Sequence, residues 1–329
     1  MLILNREAVA ASLSHAECVE LMEGAMRAVS RRDVVMPLRQ FMAVPDTKGK
    51  LGMMPGYVGK SDQADSSFGI KVVSKFPREP GSPHSSHVGA VLMFETKDGL
   101  PVALLDGREL TAIRTAATTA MATRVLARDD AASLTLIGCG EEARHHIQAI
   151  LPVRPIKKII VWGRNTDRAQ SFASQQDLPA GVSIQVEPDI QKASSEAEIL
   201  CAVTSSTQPI LKGEWLKPGV HVNLVGAAVR TSAEADIEVV KRSRFYVDYQ
   251  PSALEQAGEL VNAMEAGVVT ADHIAGEIGA VLNGEAPGRV SGEEITVYKS
   301  LGVAAQDLAA GMAAAENAKA RNIGIAVDW

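Results

Sequence analysis

The chain has no excess of positive charge: with a net charge of −6 at pH 7 and a pI near 5.7 it lacks the basic footprint that phosphate binding leaves, which argues against nucleic acid as its main partner. It has few cysteines, and Cys18, Cys139 and Cys201 are scattered without CxxC spacing, so neither a disulfide framework nor a zinc site is expected. Core thiols in a reducing compartment are the expectation. No apolar run approaches the roughly 18 residues of a membrane span. The opening "MLILNREAVAASLSH" lacks the basic start and long apolar middle of a signal peptide, so a cytoplasmic location is expected. Internal repeats and low-complexity tracts are missing as well.

What is present is an ordinary globular composition on a chain of 329 residues, long enough for two sizeable cores. "SHAECVELMEGAMRAVSRRD" predicts an amphipathic helix, with Ser14 as N-cap and Val19, Met22 and Met26 at helical spacing. Short strand candidates follow in "LRQFMAV", "KLGMMPGY" and "FGIKVVSKF". In "GAVLMFETKDGLPVALLDG" the pair Asp98-Gly99 sits between two apolar runs, a hairpin signal. The first part therefore reads as mixed α+β and largely antiparallel.

From about residue 119 the pattern becomes strands alternating with helices: "SLTLIGCG", a helix over 141–150, "KKIIVWGRN", a helix over 166–176, "AEILCAVTSS", "GVHVNLVG" and "RFYVD". That alternation implies an α/β class fold with a Rossmann-type, doubly wound parallel sheet beside an α+β domain. The expected boundaries are 1–118, completed by a C-terminal helix over 305–329, and 119–304.

Gly138-Cys139-Gly140-Glu141-Glu142-Ala143 fits G-x-G-x-x-A between a strand and a helix, the context in which that spacing binds a dinucleotide. Gly138 permits the tight turn, Gly140 lets backbone approach a pyrophosphate, and the helix N-terminus offers N–H groups to the anion. At the end of the second strand Gly163-Arg164-Asn165-Thr166 carries no carboxylate for a ribose 2′-hydroxyl. Arg164 suits a 2′-phosphate instead, so NADPH is favoured, with NADH possible. A solvated surface arginine is the competing interpretation.

Lys71 interrupts an apolar strand, where a lysine is rarely buried without a partner or a task; an edge-strand lysine that blocks aggregation is the alternative. Arg114 lies in a helix of small residues and Arg39 is bracketed by apolar ones. Three such cations suit an anionic substrate, with Lys71 also able to deliver a proton if burial lowers its pKa. His84 and His87, at i, i+3 in a turn-rich loop, are weighed as acid-base groups or metal ligands, and no metal is expected because a third ligand is missing nearby. His145 and His146 are expected to be neutral and structural.

At "GIKVVSKFP", "LTAIRTAATTAMATRVLA", "LIGCGEEARHH", "KPGVHVNLVGA" and "YKSLGVAAQDLA" the sequence resembles the ornithine cyclodeaminase and mu-crystallin family, in order along nearly the whole chain. The resemblance implies a homodimer whose α+β domain dimerises and contributes substrate contacts. It also implies that Lys71, Arg39 and Arg114 bind substrate, with Met54 beside them and Arg114 also near the cofactor. The dinucleotide residues it implies are Glu141, Glu142, Thr204, Ser300 and Leu301, with Ser86. Around these, Thr115, Ser205, Val225, Gly226 and Ala227 are expected to line the cofactor, together with Gly138, Gly140, Arg164, Asn165 and Thr166.

One departure separates the family's activities. Its cyclodeaminases and alanine dehydrogenases carry an acid-base aspartate two positions after the glycine of "VNxxG", and here that position is Ala228. Glu234 and Asp236 can replace it only if their loop folds back. Reduction of a preformed cyclic imine asks less of the protein, so the expected activity is NAD(P)H-dependent reduction of Δ1-pyrroline-2-carboxylate, Δ1-piperideine-2-carboxylate or both. The alternatives are an ornithine cyclodeaminase or amino-acid dehydrogenase, and a binding protein of the mu-crystallin type. Ring size is expected to depend on Met53, Met54 and Tyr57.

Overall fold

The computed structural model describes residues 1–59, 66–77 and 87–329, with the side chain of His87 left aside. Strand β1 (Leu2–Leu4) and helices α1 (Arg6–Ser12) and α2 (His15–Arg31) open the chain. Strands β2 (Val34–Val35), β3 (Gln40–Ala43), β4 (Lys50–Val58), β5 (Ser67–Lys75), β6 (His87–Phe94) and β7 (Pro101–Asp106) follow, then helix α3 (Gly107–Leu126). Next come β8 (Ser133–Ile137), α4 (Glu141–Ile150), β9 (Lys158–Trp162), α5 (Thr166–Ser174), β10 (Ser183–Val186), α6 (Ile190–Ser195), β11 (Ile199–Ala202) and β12 (His221–Leu224). The remainder is α7 (Ile237–Lys241), β13 (Ser243–Val247), α8 (Gln250–Gln256), α9 (Gly258–Glu265), β14 (Ile274–Glu277), α10 (Ile278–Leu282), β15 (Ile295–Lys299), α11 (Ala304–Ala320) and β16 (Ile325–Ala326). Two compact units result, Met1–Arg114 with Val303–Trp329, and Thr115–Gly302.

The first unit is built on a sheet of order β16-β1-β7-β6-β5-β4-β2, with β3 also paired to β4. Neighbours are antiparallel except β1 beside β7. The hairpin at Asp98-Gly99 forms between β6 and β7; Gly99 takes φ 73°, and the Glu95 carboxylate accepts the amides of Lys97, Asp98 and Leu100. Those three donors hold the Glu95 carboxyl below its ordinary range.

Helix α11 crosses one face of this sheet. It can approach closely because β4 and β5 present glycine there: a Cβ at Gly56 would lie 2.9 Å from Ala304 Cβ, and one at Gly69 3.1 Å from Leu308 Cδ2. On its other side α11 meets the helices at the chain start, where Asn317 Nδ2 donates to Ser12 O (3.0 Å) and Glu17 Oε1 (2.6 Å). Helix α2 has the expected cap, Ser14 accepting Glu17 N at 3.2 Å, and buries Val19, Met22 and Met26. Alanine is the residue that lets α11 be covered on both sides, since it fills little space and loses no side-chain entropy.

The second unit is a parallel sheet of order β10-β9-β8-β11-β12-β15-β13-β14 with helices packed on it. Between β8 and β11 the connection changes direction across the sheet, the switch point at which doubly wound folds leave a crevice. Strands β10, β14 and β15 are additions to the sequence-based reading. Strand β10 is an edge whose positions alternate exposed and half-buried, and β14 is short and contains Gly276, so neither presents a strong apolar run. None of the described helices is long and apolar enough to cross a membrane.

Candidate active site

At the switch point the two glycines of the turn serve different ends. Gly138 follows β8 with φ 122°, and a Cβ there would lie 2.9 Å from Val203 O and 3.3 Å from Thr204 Cγ2, so the fold itself requires glycine. Gly140 is the N-cap of α4 in an extended conformation, without a side-chain cap, and a Cβ there would meet nothing within 4 Å. Among the described residues no atom demands glycine at 140. The open space beside it and the uncapped first turn of α4 are what a pyrophosphate needs, so the residues present fit a dinucleotide.

Ala143, fully buried, packs the helix onto the sheet. Glu141 and Glu142 occupy the first turn of α4. Cys139 is not the core thiol the sequence suggested: it is half-buried in the turn, and a Cβ at Gly163 would come within 2.9 Å of its Sγ. Cys18 and Cys201 are buried, and burial pushes the Cys201 thiol up to about 12. His146 Nδ1 donates to Glu142 O (2.7 Å), a carbonyl that only accepts, so Nε2 is left to accept from Thr119 Oγ1 (3.1 Å). His145 is buried beside it. Arg164 is exposed just past β9, Asn165 caps α5 by accepting Arg168 N (2.8 Å), and Thr166 is exposed in the first turn.

Along the C-terminal ends of the neighbouring strands lie Thr204 and exposed Ser205 after β11, Val225, Gly226 and Ala227 after β12, and buried Ser300 and Leu301 after β15. Leu301 N donates to Asp248 Oδ2 at 2.8 Å. Thr115, buried, opens this unit on α3. The loop after Ala228 does fold back. Both of its acids are engaged, however: Glu234 is fully buried with its carboxylate accepting from Thr204 and Gly226, and half-buried Asp236 caps α7 while accepting Gly213 N (3.0 Å).

Two of the three expected cations, Lys71 and Arg114, converge on one carboxylate. Lys71 is central in the sheet, since β5 is paired on both sides, which removes the edge-strand alternative. Its Nζ donates to Asp307 Oδ1 (2.9 Å), and Arg114 Nε donates to the same oxygen (3.0 Å). Arg114 Nη1 also donates to Gln306 Oε1 at 2.6 Å, and Gln306 Nε2 reaches Met26 Sδ at 3.4 Å. Lys71 and Arg114 are each 4% exposed and Asp307 1%.

Burial lowers the Lys71 pKa to about 8, with Asp307 opposing and the charges of Arg114 and Arg39 adding to the fall. Burial would raise Asp307, but Arg114 and Lys71 together outweigh it and hold the carboxyl below its ordinary range. Half-buried Arg39 lies in the same field, and cations held by burial and shared hydrogen bonds in this way can attract and orient a small carboxylate.

Met54 lies directly across from Lys71 on β4 and is buried on the same face. Met53 and Tyr57 do not join it: the strand's two-residue period turns both to the opposite face, so of the three residues expected to set ring size only Met54 shares the Lys71 face. Asp307 and Gln306 are functional neighbours that the sequence reading passed over. Their signal was two adjacent polar residues in an alanine helix otherwise built to be covered. His84 and Ser86 lie outside the described residues.

A doubly wound parallel sheet with a ligand-ready glycine turn at its switch point, in a chain that also buries a carboxylate-binding cation cluster, defines a nicotinamide-dependent oxidoreductase. The chain belongs to the Ornithine cyclodeaminase/mu-crystallin family, whose sequence profile matches residues 1–322. It is 33% identical over 279 residues to the ketimine reductase mu-crystallin of Mus musculus, covering 84% of this chain and 83% of that one. To a Delta(1)-pyrroline-2-carboxylate reductase of Bacillus cereus it is 31% identical over 314 residues, 95% of each chain. The solved structure of Thermococcus litoralis Delta(1)-pyrroline-2-carboxylate reductase in complex with NADH and L-proline matches with a TM-score of 0.94 at 32% identity, covering 99% of this chain and 100% of that one.

Proposed function

We propose that the protein reduces cyclic ketimines that carry a carboxylate beside the C=N bond: Δ1-pyrroline-2-carboxylate to L-proline, Δ1-piperideine-2-carboxylate to L-pipecolate, or both. The observation that carries this reading is the buried cluster in which Lys71 and Arg114 share a single oxygen of Asp307. Relatives named as reductases of such imines support it. Arg39, Lys71 and Arg114 bind the substrate carboxylate, and Met54 packs against the ring. Thr115, with the residues of the glycine turn and the strand ends, lines the dinucleotide, which supplies a hydride when bound.

A ring nitrogen that enters protonated needs no acid, because an iminium carbon accepts hydride directly. When the neutral imine binds instead, Lys71 donates the proton to nitrogen, a task suited to an ammonium whose pKa lies near 8. Ala228 leaves the cyclodeaminase and dehydrogenase readings without their acid-base carboxylate. The engaged states of Glu234 and Asp236 weigh against a substitute from the same loop.

NADPH is the favoured cofactor on the strength of Arg164, exposed at the end of β9 where no carboxylate waits for a 2′-hydroxyl. The unit of β1–β7 acts as the dimerisation and substrate domain of a homodimer. Its support is the sheet face opposite α11, on which Met53, Tyr57, Ile70, Val72, Val88 and Leu92 remain half-buried or exposed. Static light scattering is expected to give twice the chain mass; a monomer at working concentration would remove the homodimer.

The deciding assay supplies the five- and six-membered imines side by side with NADPH and NADH, and incubates ornithine with NAD in parallel. Cofactor oxidation on imine addition with no ammonia from ornithine is expected. Ammonia release without imine reduction would transfer the protein to the cyclodeaminases, and tight dinucleotide binding with no turnover would leave it a binding protein. Equal efficiency with both cofactors would count against the 2′-phosphate role of Arg164.

A further inference from the structure

Three fully buried charged side chains lie beneath the strand ends of the second unit, and the chemistry outlined above uses none of them. Glu234 Oε1 accepts Thr204 N (2.7 Å) and Thr204 Oγ1 (2.8 Å), while Oε2 accepts Gly226 N (2.6 Å) and Ala227 N (3.3 Å). The Glu234 amide in turn donates to Glu259 Oε1 (3.0 Å), and Glu259 Oε2 is ion-paired with Lys299 Nζ at 2.8 Å. Lys299 closes the circuit by donating to Ala227 O at 2.6 Å. The loops after β11 and β12 and the end of β15 are thereby tied together by charge-assisted bonds, and Ala227 is held at both its N–H and its C=O.

The cost of this arrangement makes a purely incidental role implausible on physical grounds. Two carboxylates and one ammonium, all at 0% exposure, leave a net negative charge away from water. Burial raises the Glu234 pKa, with Lys299 and the Thr204 donors opposing. Glycine at 226 is required where the two loops meet, since a Cβ there would run into the Thr204 carbonyl and would also lie 2.7 Å from Glu234 Oε1. Four donors on two oxygens also demand a carboxylate: an amide at 234 would turn an NH2 toward two N–H groups.

We propose that Glu234, held by Glu259 and Lys299, is the positioning residue for the nicotinamide half of the dinucleotide. In a doubly wound sheet the adenosine side lies over the first strands and the nicotinamide side over those past the switch, here β11, β12 and β15. Glu234 fixes the conformations of Thr204 and Gly226-Ala227 at that second side, and none of its carboxylate's described hydrogen bonds goes to the Gly138–Ala143 turn, which takes the pyrophosphate. The inference rests on the nicotinamide-dependent reading of the protein.

The test uses the full chain with Glu234→Gln, and with Glu234→Asp as a second variant that keeps the acceptors but shortens the reach. In the protein without cofactor, amide hydrogen exchange is expected to rise at 204–206 and 225–227 and to stay unchanged at 140–143. Titration with NADPH and NADH is expected to show affinity for the complete dinucleotide lower by roughly tenfold or more, while 2′-phospho-ADP-ribose and ADP-ribose, which lack nicotinamide, bind as to the unaltered protein. Equal losses for dinucleotide and fragment, or no loss for either, would overturn the positioning role even though dinucleotide binding stands. If the unaltered protein binds no dinucleotide at all, the reading beneath the inference falls with it. Should Glu234→Gln not fold, the same fragment comparison on Glu234→Asp decides, with a smaller but equally selective loss expected.

Discussion

Asp307 shows how a single residue sets the state of its neighbours. Removing its charge leaves Lys71 and Arg114 buried side by side, so Asp307→Asn is expected to cost about 3–5 kcal/mol in urea denaturation; a loss below ~1 kcal/mol would mean that the cations are solvated in the native protein. Because its folded pKa is depressed, Asp307 contributes stability above the carboxyl's ordinary range, and that contribution is lost as pH falls through the folded value. Lys71 titrates the other way in function. Its ammonium is present below about 8 and disappears above it, so kcat/KM for imine reduction is expected to fall as pH rises through that value. A profile flat to pH 10 would exclude Lys71 as proton donor. Sequence alone marked Lys71 as anomalous, yet its partner Asp307 is 236 positions away and no local pattern joins them.

At the scale of elements, the turn into α4 separates glycine needed for folding from glycine needed for binding. Gly140→Ala is expected to leave thermal stability unchanged and to weaken dinucleotide affinity by roughly tenfold, because its Cβ enters space that no atom of the described residues fills. Gly138→Ala should instead destabilise the protein by about 1 kcal/mol or more, given φ 122° and the nearby Val203 carbonyl. Equal effects of the two on stability would contradict this division. Helix α4 was legible residue for residue, since strand, glycine turn and helix follow one another locally. Strands β10 and β14 were not, because their burial pattern comes from sheet position rather than from an apolar run. The facing of β4 lay between these cases: its extended character was readable, but which side Met53, Met54 and Tyr57 present depends on where α11 lies, and α11 is placed by Gly56 and Gly69.

For the molecule as a whole, the acidic net charge and the buried cations are compatible because they act over different distances. A net charge of −6 spread over the surface is screened within about 10 Å in salt, whereas a dry cluster of cations attracts a bound carboxylate with little screening. The account therefore gives the substrate's acid group to one set of residues and the hydride donor to another, and joins them only in the reaction. Transfer of isotope tests that union most directly. With NADPH carrying deuterium at the transferable position of nicotinamide C4 and Δ1-pyrroline-2-carboxylate as acceptor, the account predicts L-proline with one deuterium on the carbon that bears the carboxylate. Proline free of deuterium, or cofactor oxidised with no proline formed, would contradict it.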